Sequence, residues 1–449
     1  MLMERIEPGG GRGLVAPPGP WLPWPVQTAI FTWWRHLWAK SLREKYGDVI
    51  ALDIYPWRKV ILLYDPAHIG AMFTSPPSRF NAGEGNRVMS PVMGEQSVFM
   101  ADGAEHRRLR RLMAPLFGKT AVRGYLETVQ ELTEKEVDTW PLATTFESHD
   151  RMRELTLDIM SRVTFGMADG RIFDELRAQL GKLLSMDLAV LMGLNVPAAR
   201  RYGPWRRALE LLHSIDVLIY ATIEERRGVP DLAQRDDVLS RLLVAGEGDD
   251  RLSPKEIRDQ VITLLIAGHE TTATGLAWAL HELARNPRVA KEATRAALTD
   301  DTAYLDAVVK ESLRQHPVIF EVTWTLTEDV ELAGFRLPKG ATLMPMIGIV
   351  QNDPANHPAP DEFRPERFLG PEIPPSTWIP FGGGARRCVG ANFAMMEAVE
   401  VLRVLLSRRA ITTDRRKPEA ASSKHVAFAP ARGARISAPP LAEIDRAMR

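Results

Sequence analysis

The segment from Ser253 to Asn286 constrains the fold more than any other stretch of the chain. Ser253-Pro-Lys-Glu256 is a capping box with proline at the first helical position, and no further proline follows until Asn286-Pro287. Roughly thirty residues at ~1.5 Å each make a helix of about 45 Å, enough to cross a whole domain. Its apolar middle, Val261, Ile262, Leu264, Leu265 and Ile266, predicts burial for much of its path. Ala267-Gly-His-Glu-Thr-Thr272 then breaks the pattern with a glycine, an acid and two hydroxyls. Gly268 costs about 1 kcal/mol against alanine in a helix interior, and Thr271 can bond the Ala267 carbonyl and open the helix locally. The motif reads either as a polar patch against a loop or as a groove.

Around this rod the dominant period is helical from Pro66 to about Gln315. Short strand signals lie at Asp48 to Ile54 and Lys59 to Tyr64, separated by a turn at Pro56, and again at Val318 to Leu326, Val330 to Leu337 and Thr342 to Ile349, with Gly334 and Pro338-Lys-Gly340 as turns. The fold class is therefore mainly α with a smaller β portion (α+β). The β portion comes from about 48–64 and 318–349 with part of the C-terminal region, the helical portion from about 66–315 and 388–407. Length alone suggests about three domains, but the polar stretches 228–251 and 412–424 are short enough to be surface connections, so residues 1–449 read as one domain. With 45% hydrophobic and 25% charged residues the chain can bury a substantial core.

Basic and acidic residues balance at 57 each, which gives no net field toward nucleic acid. The apolar stretch Trp21 to Trp38 is broken by Pro23, Pro25, Arg35 and His36, so it neither spans a membrane nor resembles a cleaved signal. Its tryptophans, Trp21, Trp24, Trp33, Trp34 and Trp38, leave a weak membrane-surface contact open. No targeting signal and no disulfide pair are visible, which predicts a cytoplasmic, bacterial setting.

The one cysteine, Cys388, lies in Phe381-Gly-Gly-Gly-Ala-Arg-Arg-Cys-Val-Gly390. An unpaired cysteine is ordinarily a small buried hydrophobe; its neighbours here argue otherwise. Gly382, Gly383 and Gly384 clear side chains so that a flat group can approach the backbone, and Arg386 places a positive charge two residues before the sulfur. Helical spacing from Ala391 to Ser407 (Phe393, Met396, Val399, Leu402, Leu405, Leu406) puts Cys388 at a helix N-terminus, which favours an anion. The expectation is a low-pKa thiolate beneath a planar metal cofactor.

The pattern F-x-x-G-x-R-x-C-x-G, met at Phe381, Gly384, Arg386, Cys388 and Gly390, resembles the haem-binding loop of the cytochrome P450 superfamily of haem-thiolate monooxygenases. Three further motifs follow the same order, and the resemblance covers nearly the whole chain. It implies a triangular helical body whose long central helix crosses haem b (iron protoporphyrin IX), with Cys388 as axial ligand to the iron and Phe381, Gly382 and Ala267 against the cofactor. Glu270 and Thr271 match the family's acid–alcohol pair, which delivers protons for heterolytic O–O cleavage, while the thiolate pushes electron density toward the same cleavage. Glu311-Ser-Leu-Arg314, together with Arg367 of Phe363-Arg-Pro-Glu-Arg-Phe368, implies a buried charged network behind the haem loop. His106 and Arg110, at i and i+4 of a helix, match the cations that meet the haem propionates, with Arg386. Arg107, Arg108 and Arg111 are expected outside, forming with Arg387 and Arg403 a basic surface for an acidic electron donor. One position departs: Trp324 stands where relatives often carry a propionate-binding arginine.

Substrate contacts implied by the resemblance come from 81–100, 184–196, 264–271, 318–322 and 426–428. Most are apolar, so the expected substrate is lipophilic: a fatty acid, terpenoid, steroid or polyketide. Glu321 is an exception that bonds a polar group or faces away. The expected reaction is O2-dependent monooxygenation driven by NAD(P)H through a separate ferredoxin with its reductase, or a flavoprotein, in a monomer. Competing readings are a peroxide-driven haem-thiolate peroxygenase or isomerase, against which the acid–alcohol pair argues, and a non-catalytic haem sensor or lipid carrier.

Overall fold

The structure is a computed structural model that describes residues 7–8, 16–142, 144–166, 171–184, 186, 190, 193–246, 248–415, 417–422 and 427–441. Much of 184–196, and Val426, therefore lie outside the described residues. In chain order the elements that position the site are helix α1 (Trp24–Tyr46), strands β1 (Val49–Ile54) and β2 (Arg58–Leu63), helix α2 (Pro66–Thr74), strand β3 (Phe80–Asn81), helices α3 (Gly103–Met113), α4 (Leu126–Asp138), α5 (Ser148–Phe165), α6 (Gly203–Arg227), α7 (Pro254–Arg285), α8 (Pro287–Leu298) and α9 (Thr302–Gln315), strands β4 (Trp324–Leu326) and β5 (Thr342–Pro345), and helix α10 (Ala391–Arg408).

Helix α7 is the rod that the capping box announces. The Ser253 hydroxyl accepts from the Glu256 N–H at 3.2 Å, the Glu256 carboxylate accepts from the Ser253 N–H at 2.7 Å, and the 32 residues span about 48 Å. Even its charged residues Glu256, Arg258 and Asp259 are buried, because α5, α6, α9 and α10 all pack against it. Burial lapses at its centre as well as at its ends: Ala267 is exposed and Gly268, Glu270, Thr271 and Gly275 are half-buried.

The five-stranded sheet runs β1-β2-β5-β4-β3, joining both ends of the chain. β1 and β2 form an antiparallel hairpin with Val49 opposite Leu63, β2 runs parallel to β5 with Val60 opposite Thr342, and β4 is antiparallel to both β5 and β3. The large apolar core lies among the helices, and two smaller ones cover the two faces of the sheet.

Two strands are shorter than their sequence suggests. Residues 318–323 are outside the sheet because their backbone bonds elsewhere: the Val318 carbonyl accepts from Phe428 N–H at 2.8 Å and the Phe320 carbonyl from Gly348 N–H at 3.1 Å. The strand expected to reach Ile349 stops at Pro345, and Ile347–Val350 forms a helical turn. Val330–Leu332 and Phe335–Leu337 pair as a hairpin about Ala333-Gly334, both with positive φ (53° and 77°), as a tight two-residue turn requires.

Candidate active site

The glycine-rich loop is shaped by helix α2 as much as by anything it could bind. Gly382 and Gly384 adopt positive φ (64° and 58°), which glycine tolerates best. A Cβ at Gly383 would lie 2.2 Å from the Phe73 ring, and one at Gly384 2.2 Å from the Phe73 carbonyl oxygen. The expectation that all three glycines clear room for a flat ligand is thus corrected: Gly383 and Gly384 answer to Phe73, and Gly382 alone of the three faces open space. The loop closes through the Cys388 N–H, which donates to the Phe381 carbonyl at 2.9 Å.

Cys388 is exposed and unpaired, three residues before α10. The residue is open on one side, yet enough protein crowds the sulfur that burial raises the thiol pKa; the Gly390 N–H, Arg110 and Arg387 pull it down by less. The expected low-pKa thiolate is therefore not a property of the protein part alone. A metal cation at the sulfur would reverse the balance, since a coordinated thiol is deprotonated outright.

Facing the loop is a cleft of about 340 Å³ lined by Phe73, Phe80 and Trp324 on one side and by His106, Arg107, Arg110, Arg111 and Arg386 on the other. His106 is buried, and its pKa falls to about 4 through desolvation first, then the charges of Arg386, Arg110 and Arg107; near neutrality it is an uncharged imidazole. Arg110 is depressed mainly by burial and has no carboxylate partner among the described residues. Arg386 differs from expectation: it is ion-paired to Asp102 and donates to the Ala101 carbonyl at 2.6 Å. Trp324 is buried between Phe73 (ring centroids 5.5 Å) and Phe80 (5.2 Å).

The basic outer surface is also smaller than its sequence suggests. Arg108 is half-buried, paired with Glu105 at 2.9 Å and with Glu256. Arg111 binds Asp250 at 2.8 Å, and Arg403 binds Glu400 and Asp300. Arg107 and Arg387 are exposed and without ion pairs among the described residues.

On α7 the Thr271 hydroxyl donates to the Ala267 carbonyl at 2.6 Å. Gly268 has a packing reason: a Cβ there would meet the Met160 thioether of α5 at 2.8 Å. Glu270 turns toward α5, where Arg153 Nε lies 3.1 Å from its Oε2 and His149 and His269 nitrogens stand 3.9 Å away. His269 itself bonds the Thr156 hydroxyl at 2.8 Å, and burial, then Arg153 and His149, lowers its pKa to about 3. Arg153 and His149, both on α5, escaped sequence reasoning because nothing local marks them. Glu397 escaped too, although an acid amid the apolar spacing of α10 was a signal. It is fully buried beside Thr272, its carboxyl oxygens make no well-formed hydrogen bond, and desolvation raises its pKa far above the carboxylate range, with Thr272 opposing weakly.

Glu311, Arg314 and Arg367 are brought together. Glu311 accepts from Arg314 Nε at 2.7 Å and Nη2 at 3.0 Å, from Arg367 Nε at 3.1 Å and from the Arg364 N–H at 2.9 Å. Arg314 also donates to the Gln351 and Pro360 carbonyls, and Arg367 to those of Pro358 and Ala359. Gln351 accepts from the Ile379 N–H at 2.9 Å and Trp378 donates to the Lys310 carbonyl at 3.2 Å, so α9 and its partners fix the chain that leads into the glycine loop. Glu321 is paired with Arg35 of α1 at 3.0 Å, and that guanidinium lies 4.2 Å over Phe428, which stacks on Phe320.

The fold matches that of solved structures along almost the whole chain. Cyanobacterial CYP120A1 with retinoic acid bound superposes with a TM-score of 0.85 at 22% identity, covering 96% of this chain and all of that one. The haem domain of cytochrome P450DA superposes at 0.82 with 24% identity, covering 96% of this chain and 98% of the other. Residues 17–434 match the sequence model of the family described as Cytochrome P450. The chain is 40% identical over 398 residues to a Mycobacterium tuberculosis protein designated cytochrome P450 135A1 (88% of this chain, 89% of that one), and 39% identical over 434 residues to cytochrome P450 135B1 of Mycobacterium bovis (95% and 92%). The chain belongs to the cytochrome P450 family. It is a haem-dependent monooxygenase, an oxidoreductase that uses O2, a substrate and a redox partner. Among the described residues no helix is long and apolar enough to cross a membrane.

Proposed function

We propose that this enzyme inserts one oxygen atom of O2 into a lipophilic small molecule, with haem b ligated by Cys388 and electrons delivered from NAD(P)H by a separate ferredoxin system or flavoprotein. The observation that carries the cofactor reading is the pairing of an open thiol with a neighbouring cleft whose half-buried Arg110 has no carboxylate partner among the described residues. A partly desolvated cation without a counter-ion favours an anion beside it, and the propionates of haem are the anions that fit; His106 would donate a neutral hydrogen bond there. Haem so held supplies the redox-active metal for O2 reduction.

The protein's own part is to handle protons and exclude water. Thr271, with Ala267 and Gly268, lies where the burial of central α7 lapses, and its hydroxyl proton is held on the Ala267 carbonyl. Glu270, gripped by Arg153 at the half-exposed edge of α5, picks up protons from that side and passes them to the Thr271 oxygen. Apolar Phe320 and Phe428, with the Glu321 charge neutralised by Arg35, favour a lipophilic substrate. Residues 1–449 act as one folding unit and the enzyme as a monomer. Trp21, Trp24, Trp33 and Trp34, all exposed, suit a transient contact with a membrane surface.

Reconstitution with haemin, followed by carbon monoxide and dithionite, tests the ligand: the ferrous carbonyl Soret band is expected at the red-shifted thiolate position, and an imidazole-type band would overturn the reading. A fatty acid, terpenoid, steroid and polyketide panel then tests the substrate class, by Soret shifts and by incorporation of label from isotopic O2 with a surrogate ferredoxin and reductase. No response to any lipophile would refute it.

A further inference from the structure

Helix α3 presents one continuous stripe to the cleft: Gly103, His106, Arg107, Arg110, Arg111 and Ala114, spaced i, i+3, i+4, i+7, i+8, i+11 as a single helical face requires. Haem carries two propionate carboxylates, and each must find a positive or hydrogen-bonding partner when it leaves bulk water. Most candidate cations are already engaged. Arg386 is held by Asp102, Arg111 by Asp250 at 2.8 Å, and His106 is neutral. Arg110 has no carboxylate partner among the described residues and, beside His106, accounts for one propionate only. The opposite wall offers Trp324, boxed between Phe73 and Phe80, and therefore no charge. What remains is Arg107: exposed, on the cleft rim, without an ion pair among the described residues, and near enough for its charge to act on His106.

Building on the haem reading above, we propose that Arg107 folds over the cleft and binds the second propionate, supplying from helix α3 the positive charge that position 324 does not provide. Arg110 with His106 takes the first propionate, and the aromatic wall of Phe73, Phe80 and Trp324 packs the cofactor edge between them. Arg107 is on this account a cofactor-positioning residue, and its long side chain moves from solvent to the propionate when haem is bound.

The test uses full-length holoprotein in four forms: wild type, R107Q, R111Q and R107Q/W324R. Haem transfer to excess apomyoglobin is expected to be about ten- to a hundredfold faster in R107Q, the range of one charge-assisted hydrogen bond lost, and unchanged in R111Q. The reduction potential of R107Q falls, because losing a nearby positive charge favours the ferric state, a change that altered folding alone would not produce in one direction. W324R placed in R107Q restores slow transfer. Haem loss in R107Q no faster than in wild type, or equal acceleration in R111Q, overturns the proposal. A wild-type ferrous carbonyl without the thiolate band would instead overturn the haem-thiolate reading itself, so the two failures are distinguishable; circular dichroism of each apoprotein checks that the variants fold.

Discussion

Replacing Glu311 by alanine removes one carboxylate and strands two cations. The side chains of Glu311 and Arg314 are fully buried and that of Arg367 is 7% exposed, so water cannot take the place of the lost acceptor. Three guanidinium hydrogen bonds and the Arg364 N–H lose their partner together. Breaking a buried pair by deleting one partner costs about 3–5 kcal/mol, against a total stability of about 5–15 kcal/mol for typical proteins. The loss falls on the segments that set the glycine loop, through Gln351 to Ile379 and Trp378 to Lys310, so cofactor retention fails before the helical core does. Glu311→Gln keeps the shape but turns an amide donor toward guanidinium donors, and is expected to be nearly as damaging. The assay is the ratio of Soret to protein absorbance after purification, with a urea midpoint read by far-ultraviolet circular dichroism. A Glu311→Ala protein with full haem content and an unshifted midpoint would show that the network does not support the loop.

Three further outcomes are expected. Glu270→Gln, and separately Thr271→Ala, lower product formation by about a hundredfold or more, the usual contribution of a positioned proton donor, while haem spectra stay unchanged; normal turnover in both would remove the proposed proton route. Glu397→Gln changes the pH dependence of stability: the native carboxyl stays protonated above the pH at which the unfolded one ionises, so the wild type binds more protons when folded and loses stability as pH rises past the ordinary carboxylate value. The variant should match wild type in acid and exceed it toward neutral and alkaline pH in urea titrations, and parallel curves would refute the assignment. Gly384→Ala forces a Cβ onto the Phe73 carbonyl at 2.2 Å in a left-handed backbone, and should weaken haem binding measurably in a haemin titration of the apoprotein.

Much of the fold was legible because its determinants are local. The capping box, the proline at the first helical position and the absence of another until Pro287 delimit α7 within a residue. Strand ends were less legible because the partners of Val318 and Phe320 are Phe428 and Gly348, which no window of sequence reveals. The same distance effect governs charge. Arg108 and Arg111 look like a free basic patch until Glu256, 148 residues further along the chain, and Asp250, 139 residues further along, are seen to meet them, and the acid–alcohol pair gave no hint of Arg153. Phe381 to Gly390 close into one loop through the Cys388 N–H, but the role of Gly383 and Gly384 depends on Phe73, which lies far upstream in the chain. The cysteine showed the limit of rules of thumb: helix N-terminus and nearby arginines favour ionisation, and desolvation outweighs both.

The ion pair between Arg35 and Glu321 has a bearing on how such enzymes diversify. It ties the first helix to a segment expected to touch substrate, and Phe428 beneath the same guanidinium ties in another. Exchanging 318–322 for the homologous piece of a relative would orphan a cation in the middle of α1 unless position 35 were exchanged with it. Chimaeras and evolving paralogues must therefore treat these three distant positions as one heritable block, and new specificities should arise more readily by changes elsewhere around the pocket.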